Sequence, residues 1–377
     1  MLFREVIGHV ELKDKLIRSV KNNRISHAQL FLGSEGNGNF LLALAYAQFV
    51  NCLNQGPNDS CGSCSSCLKY QNKQHPDLHF FYPTAICNDV KTQPSSRKLI
   101  TQWISFLKKK DYFTLNSWMI YIGAGERFPI INKTDSQDII KIVSLKNFEA
   151  KFKVVIIWLP ENMNPSCSNK ILKVLEEPNP KSLFLLIGHN TDKLLPTILS
   201  RVQIIKTNLL KDDDVIKGLI EKEKISKDLA KSIALTANGN LFKAFNLVEN
   251  PHNEEQFMDV FHQWMRLCYT VDYLNLEKWI DEIHKLGRVV QKSFLEYGLR
   301  IFRECIIYNY SSSSVNRLNK NEYAFNEKFS KFIHGGNIVD IISIFEHTHT
   351  SILRNGNSKI AFMNLSLKIC NLIKLKP

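Results

Sequence analysis

Gly33-Ser34-Glu35-Gly36-Asn37-Gly38-Asn39-Phe40 is the stretch on which the fold turns. It follows a short apolar run, Ala28-Gln29-Leu30-Phe31-Leu32, and precedes an alanine-rich apolar run from Phe40 to Val50, so it reads as strand, glycine loop, helix. That succession is the setting of a phosphate cradle of the form G-x-x-x-x-G-K-[S/T]. In such a loop main-chain amides hold the phosphates, the lysine neutralises the outer ones and the hydroxyl holds Mg²⁺. Gly33, Gly36 and Gly38 keep the outline, but Asn39 has no charge and Phe40 presents a ring where the hydroxyl belongs. The expectation is a chain that does not hydrolyse ATP and binds none at its own loop.

Working outward, residues 9–25 have apolar positions at helical spacing, and apolar strands are expected at Trp118–Ile122, Val154–Trp158 and Leu183–Ile187. Helical patterns lie between them at Asp138–Phe148 and Ser168–Glu177. Alternation of this kind predicts an α/β core, a parallel sheet with flanking helices. A second half of a nucleotide site would need a strand ending in Asp-Glu, whereas Val154-Val155-Ile156-Ile157 ends in Trp158-Leu159-Pro160-Glu161. Residues 78–134 mix aromatic strand-like pieces with a helical stretch through Trp103, Phe106 and Leu107, and read as an insertion. After Thr207 the pattern is helical almost to the end. Asn238-Gly239-Asn240 punctuates one small bundle, Asn250-Pro251 separates the next, and the serine run at 311–314 reads as a loop. Three domains result: a core at 1–207, a small helical lid at 208–250 and an all-α domain at 251–377.

Composition agrees with a multidomain globular chain: 377 residues, 44% hydrophobic and 23% charged. No apolar run approaches the roughly eighteen residues that a bilayer requires, and the first residues lack a secretory pattern, so a cytoplasmic protein is expected. The net charge of +13 suits work near a polyanion, although AT-rich coding also raises lysine content. Residues 1–250 hold 33 Lys and Arg against 23 Asp and Glu, and the rest hold 16 against 13, which puts the excess at the front. Lys108-Lys109-Lys110 reads as a solvated patch with DNA as its alternative. His27 reads as a buried structural histidine and Glu176-Glu177 as a solvated helix end without chemistry.

Cys52, Cys61, Cys64 and Cys67 fall within sixteen residues rich in Gly, Ser, Asn and Asp. Close spacing lets a short chain wrap one tetrahedral ion, and four sulfurs with no open position suit structural Zn²⁺, with a 4Fe–4S cluster as the weaker alternative. The zinc module is therefore placed at 52–67. Cys87, Cys167, Cys268, Cys305 and Cys370 are scattered and read as small buried hydrophobes.

Phe3-x-x-Val6-Ile7-Gly8, Ile25-Ser26-His27-Ala28-x-Leu30-Phe31-x-Gly33, the four cysteines, Asn169-Lys170-Ile171-Leu172-Lys173-Val174-Leu175-Glu176-Glu177-Pro178 and Lys193-Leu194-Leu195-Pro196-Thr197-Ile198-Leu199-Ser200-Arg201 together resemble the bacterial DNA polymerase III clamp loader, an AAA+ family. Within it, erosion at Asn39, Phe40, Trp158 and Leu159 resembles the delta prime subunits rather than the ATP-hydrolysing gamma/tau subunits. The resemblance implies an AAA+ core with a zinc module, a lid and a C-terminal helical collar that serves oligomerisation. It implies that Arg201, in Ser200-Arg201-Val202, is an arginine finger acting in trans on a neighbouring ATPase. The implied partners are gamma/tau-like subunits, a delta subunit, the sliding clamp and, weakly, primed DNA. The family's sensor threonine is replaced around Gly188-His189, and its lid arginine is Phe242. Two other readings stay open: an active gamma/tau-like ATPase with an unorthodox site, and a free-standing zinc-containing nucleic-acid-binding protein.

Overall fold

The structure, a computed structural model, describes residues 1–375 apart from 126, 250–251 and 311–316. The separator expected at 250–251 and the loop expected at 311–314 lie outside the described residues. Two compact units divide the chain, Met1–Phe245 and Asn246–Pro377.

The first unit is built on five parallel strands, β1 (Ala28–Gly33), β2 (Leu78–Phe81), β3 (Lys153–Trp158), β4 (Ser182–Gly188) and β5 (Gln203–Thr207), in the order β2-β3-β4-β1-β5. β3 and β4 are buried along their whole length and are nearly continuous runs of Val, Ile, Leu and Phe, as strands covered on both faces must be. Around the sheet run α1 (Val10–Lys21), α2 (Asn39–Val50), α3 (Ser65–Gln71), α4 (Ile100–Lys109), α5 (Leu115–Tyr121), α6 (Lys133–Ser144), α7 (Pro165–Glu176), α8 (Pro196–Leu199), α9 (Asp212–Glu223) and α10 (Lys227–Ala237), followed by α11 (Leu241–Glu249). Every residue of α2 is buried, which explains a helix that is apolar on all sides.

Two expectations from the sequence are corrected. The strand placed at Trp118–Ile122 is helix α5. Its apolar run buries Trp118, Met119 and Ile122 but exposes Ile120 and Tyr121, a helical spacing, and Thr114 and Ser117 form a capping box at its start. Residues 78–81, placed inside the insertion, are edge strand β2 of the core sheet, in register with Val154–Ile157. The half-exposed edge strand β5 was not anticipated as a strand.

Helix α6 stops at Ser144, short of the expected Phe148, because the residues after it are captured by two buried charges. The Lys153 ammonium donates to the carbonyls of Ile142, Leu145 and Lys146, while the Asp77 carboxylate accepts from the amides of Phe148, Glu149 and Ala150 at 2.8–2.9 Å. Burial alone would raise the Asp77 pKa, but these amides reverse the effect and hold it below its ordinary value. The result is a locked loop that leaves Leu145 and Phe148 exposed, Phe148 at 80%.

The second unit contains α12 (His252–Thr270), α13 (Tyr273–Lys285), α14 (Arg288–Tyr310), α15 (Lys320–Phe329), α16 (Ile338–Leu353) and α17 (Ser358–Leu372). Its core is aromatic: Trp264 stacks on Trp279 at 4.9 Å and touches Phe294, Phe345 and Phe362. The buried Trp264 indole N–H donates to Ser366 Oγ at 2.9 Å, which satisfies the one polar atom of that ring. Among the described residues no helix is long and apolar enough to cross a membrane.

Candidate functional site

The glycine loop lies at the C-terminal end of β1, where it turns into α2. Gly36 and Gly38 have φ of +81° and +89°, a region that L side chains rarely adopt. A Cβ on Gly36 would also meet Asn240 Oδ1 at 2.5 Å and the Phe242 Cβ at 2.7 Å, so the segment entering α11 lies directly on the loop. The Phe242 amide donates to the Gly36 carbonyl at 3.0 Å and Asn240 Nδ2 to the Glu35 carbonyl at 2.8 Å. Phe242, where the resemblance leads one to expect an arginine, thus contributes main-chain contact to the loop and no charge.

The loop's polar groups are largely engaged with the chain itself. The Asn39 amide donates to Asn37 Oδ1 at 3.2 Å and the Phe40 amide to Asn39 Oδ1 at 3.1 Å, and these are amides at the start of α2 that a phosphate would use. Asn37 Nδ2 donates to both the carbonyl and the hydroxyl of Thr207 at 3.1 Å, and the His9 ring donates to the Asn37 carbonyl at 2.9 Å. Burial pushes the His9 pKa down and so favours the neutral ring. On the sheet side, His189 Nδ1 donates to the Gly33 carbonyl at 2.8 Å, and the His189 amide donates to Glu161 Oε1 at 2.8 Å. Glu161, which follows β3, therefore holds the residue that follows β4.

Phe40 and Trp158, the residues at which the sequence pattern led one to look for a hydroxyl and a carboxylate, lie near each other. Their ring centroids are 6.5 Å apart, and both rings contact Phe113, at 5.2 and 5.1 Å, and Trp103, at 5.9 and 5.3 Å. Phe80 also stacks on Phe40, at 6.4 Å. All five rings are buried. An apolar cluster of this kind offers Mg²⁺ no oxygen ligand. Tyr112 completes the covering: its Cε1 would lie 3.2 Å from a Cβ on Gly38, its ring stacks on Phe245 at 5.1 Å, and Lys222 both lies over that ring and pairs with Asp111 at 2.5 Å. Burial raises the Tyr112 pKa, with an Ile7 backbone group opposing, so the phenol stays neutral. Trp103, Tyr112 and Phe113 were not identified from the sequence as site residues. Their signal was the aromatic density of 78–134, which has no periodicity that points to the loop.

Arg201 lies at the other end of the sheet. β1 and β5 are parallel with Gln29 opposite Gln203 and Gly33 opposite Thr207, so Thr207 touches the loop while Arg201 precedes the start of β5. Six residues at about 3.3 Å each put on the order of 20 Å between Arg201 and the loop, beyond the reach of one side chain. The half-buried guanidinium donates through Nη1 to the Thr197 carbonyl at 2.7 Å and to Ser200 Oγ at 3.1 Å, and its Nη2 pairs with Glu176 Oε1 at 2.6 Å. Glu176 was read from the sequence as a solvated helix end without chemistry; it is an ion-pair partner of Arg201. The His27 ring donates to the Leu175 carbonyl at 3.0 Å and so fixes the end of α7 against the start of β1.

Cys52, Cys61, Cys64 and Cys67 come together with all four sulfurs within 4.8 Å of one another, and none is in a disulfide. The Sγ atoms of Cys52, Cys61 and Cys67 are 3.6, 3.6 and 3.9 Å apart. The edge of a ZnS₄ tetrahedron with Zn–S near 2.3 Å is about 3.8 Å, so the set fits such an ion. Main-chain amides of Cys61, Cys64 and Cys67 donate to the sulfurs of Cys52, Cys61 and Cys64 at 3.3–3.4 Å, the arrangement that supports thiolates. The amide of Cys64, with that of Ser63, holds the Cys61 thiol down to about 6, while burial pushes Cys52 and Cys67 up. The module is anchored to the core by Ser66 Oγ to the Asn51 carbonyl at 2.8 Å and by Asn51 Nδ2 to the Tyr70 hydroxyl at 2.7 Å. A four-cysteine set of this geometry could hold a metal ion.

The profile of the family described as DNA polymerase III, delta subunit, matches residues 8–211. The chain is 27% identical over 254 residues to the delta prime subunit of DNA polymerase III from Bacillus subtilis, covering 66% of this chain and 63% of that one. It is 25% identical over 256 residues to the gamma subunit from Buchnera aphidicola, covering 67% and 59%. With the delta prime subunit from Haemophilus influenzae it shares 25% identity over 262 residues, covering 68% and 67%. The match thus spans less than two thirds of the length of the first two relatives. Since the matched region takes in the loop, the cysteine set and Arg201, the chain belongs to the DNA polymerase III delta-subunit family and is a delta prime-like member of the clamp-loader group.

Proposed function

We propose that this chain is a non-hydrolysing AAA+ subunit of a replicative clamp loader, a structural part of the ring that opens the sliding clamp and loads it onto primed DNA, and that it donates Arg201 in trans to a neighbouring ATPase subunit. The observation that carries the reading is the separation of the two halves of ATP chemistry on one sheet. At one end Phe40, which follows the loop, packs against Phe113 and Trp158 while Tyr112 lies against Gly38; at the other the partly exposed Arg201 guanidinium is held by Thr197, Ser200 and Glu176. A planar cation held on a rigid edge suits a phosphate brought by another subunit. Polymerisation belongs to other chains of the DNA polymerase III assembly.

The partners of such a subunit are gamma/tau-like ATPases, a delta subunit and the clamp, with DNA met weakly, and its place of work is the cytoplasm. Support for a protein partner comes from the locked loop that presents Leu145 and Phe148. Domain 251–377 serves as the oligomerising collar in this reading, and 208–250 as the lid. Mixing the purified chain with gamma-like and delta-like subunits is expected to yield a defined hetero-oligomer by light scattering. A chain that stays monomeric in the presence of both contradicts the reading.

In the same reading the cysteine set holds structural Zn²⁺, which staples a loop with little apolar material to bury. The residues that would hold it are Cys52, Cys61, Cys64 and Cys67, and the ion would neutralise the thiolates that the surrounding amides favour. Metal analysis of the purified chain is expected to give about one zinc per chain, falling to near zero in Cys64→Ser together with a lowered melting temperature. A metal-free preparation that melts like the loaded one refutes the assignment.

A further inference from the structure

We propose that Glu176 is a positioning residue for Arg201: its carboxylate holds the guanidinium in the orientation in which the finger meets a neighbour's nucleotide. The inference rests on the finger reading above and extends it to a residue on a different helix. An arginine side chain on a half-exposed edge samples many rotamers, and each rotamer that must be frozen during turnover subtracts from its contribution. Here the fork is held from two directions. Nη1 is tied to the last turn of α8 through Thr197 and Ser200, and Nη2 is drawn across to the C-terminal residue of α7 by Glu176 at 2.6 Å.

The end of α7 is itself fixed. The His27 ring donates to the Leu175 carbonyl, the Glu177 amide closes the last turn on the Lys173 carbonyl, and Pro178 prevents the helix from continuing. Glu176 therefore presents its carboxylate from a rigid support rather than from a mobile loop. The pair is far from the chain's own covered loop, so its charge has no part in the packing around Phe40. Both side chains are partly exposed, 33% for Arg201 and 44% for Glu176, which makes the pair a weak contributor to stability but leaves the guanidinium open to an incoming phosphate.

The test is steady-state ATP turnover of the reconstituted loader, with DNA and clamp, carrying Glu176→Ala, Glu176→Gln, Arg201→Ala or the double alanine variant of this chain. Glu176→Ala is expected to lower kcat roughly fivefold to tenfold with KM for ATP within about twofold of the parent. Glu176→Gln, which keeps an acceptor at the same place, recovers most of the loss. The double variant is no slower than Arg201→Ala alone, because the carboxylate acts only through the guanidinium. Turnover in Glu176→Ala at or above the parent level, while Arg201→Ala is impaired, overturns the positioning role and leaves the finger standing. Unchanged turnover in Arg201→Ala removes the finger itself and this inference with it.

Discussion

Arg201→Ala is expected to leave assembly of the loader intact and to abolish most DNA-stimulated ATP turnover at the site that this chain serves. The expected fall there is at least about tenfold, with fingers in other systems setting a ceiling of roughly 10³–10⁵. Assembly should survive because Arg201 sits on a half-exposed edge and contacts Thr197, Ser200 and Glu176 rather than the core. Turnover should not, because a guanidinium supplies two aligned donors and a permanent charge where negative charge shifts during phosphoryl transfer. Lysine keeps the charge but loses the planar fork, so Arg201→Lys should recover only a minor part. The measurement is kcat of the reconstituted loader normalised to assembled ring. Unchanged kcat in Arg201→Ala contradicts the assignment.

The second large effect concerns the loop. Restoring the residues that ATP chemistry needs, with Asn39→Lys and Phe40→Ser together, is expected to produce a less stable protein and no ATPase. Phe40 touches the rings of Phe80, Trp103, Phe113 and Trp158, and its removal leaves a cavity among them. Phenylalanine truncation in such surroundings costs about 3–5 kcal/mol. The rings of Trp158 and Phe113 would still offer no oxygen ligand beside residue 40, and Tyr112 would still lie against Gly38. Chemical denaturation should register the loss in the first unit. A double variant that is as stable as the parent and turns over ATP with Mg²⁺ would mean that the ring cluster does not govern the site.

Much of this was legible in the sequence because it is local. The turn from β1 through Gly33, Gly36 and Gly38 into α2 is written in consecutive residues, as are the two buried strands β3 and β4 and the cysteine spacing that brings four sulfurs together. What failed was either ambiguous or tertiary. Trp118 to Ile122 is apolar throughout, and only burial distinguishes its helical face from an alternating one. β5 exposes Gln203, Ile204 and Lys206 and so lacks the apolar continuity of the central strands. The insertion's aromatic residues take their meaning from Phe40 and Trp158, which lie far away in the chain. The pairing of Glu176 with Arg201 joins the ends of two helices across the fold, and no periodicity in either segment announces it.

The proposal that this chain does not hydrolyse ATP itself is most directly tested by ATP turnover of the purified chain alone, with Mg²⁺ and with the metal chelated. No turnover above background is expected in either condition. Turnover that appears with Mg²⁺ and disappears on chelation would contradict it.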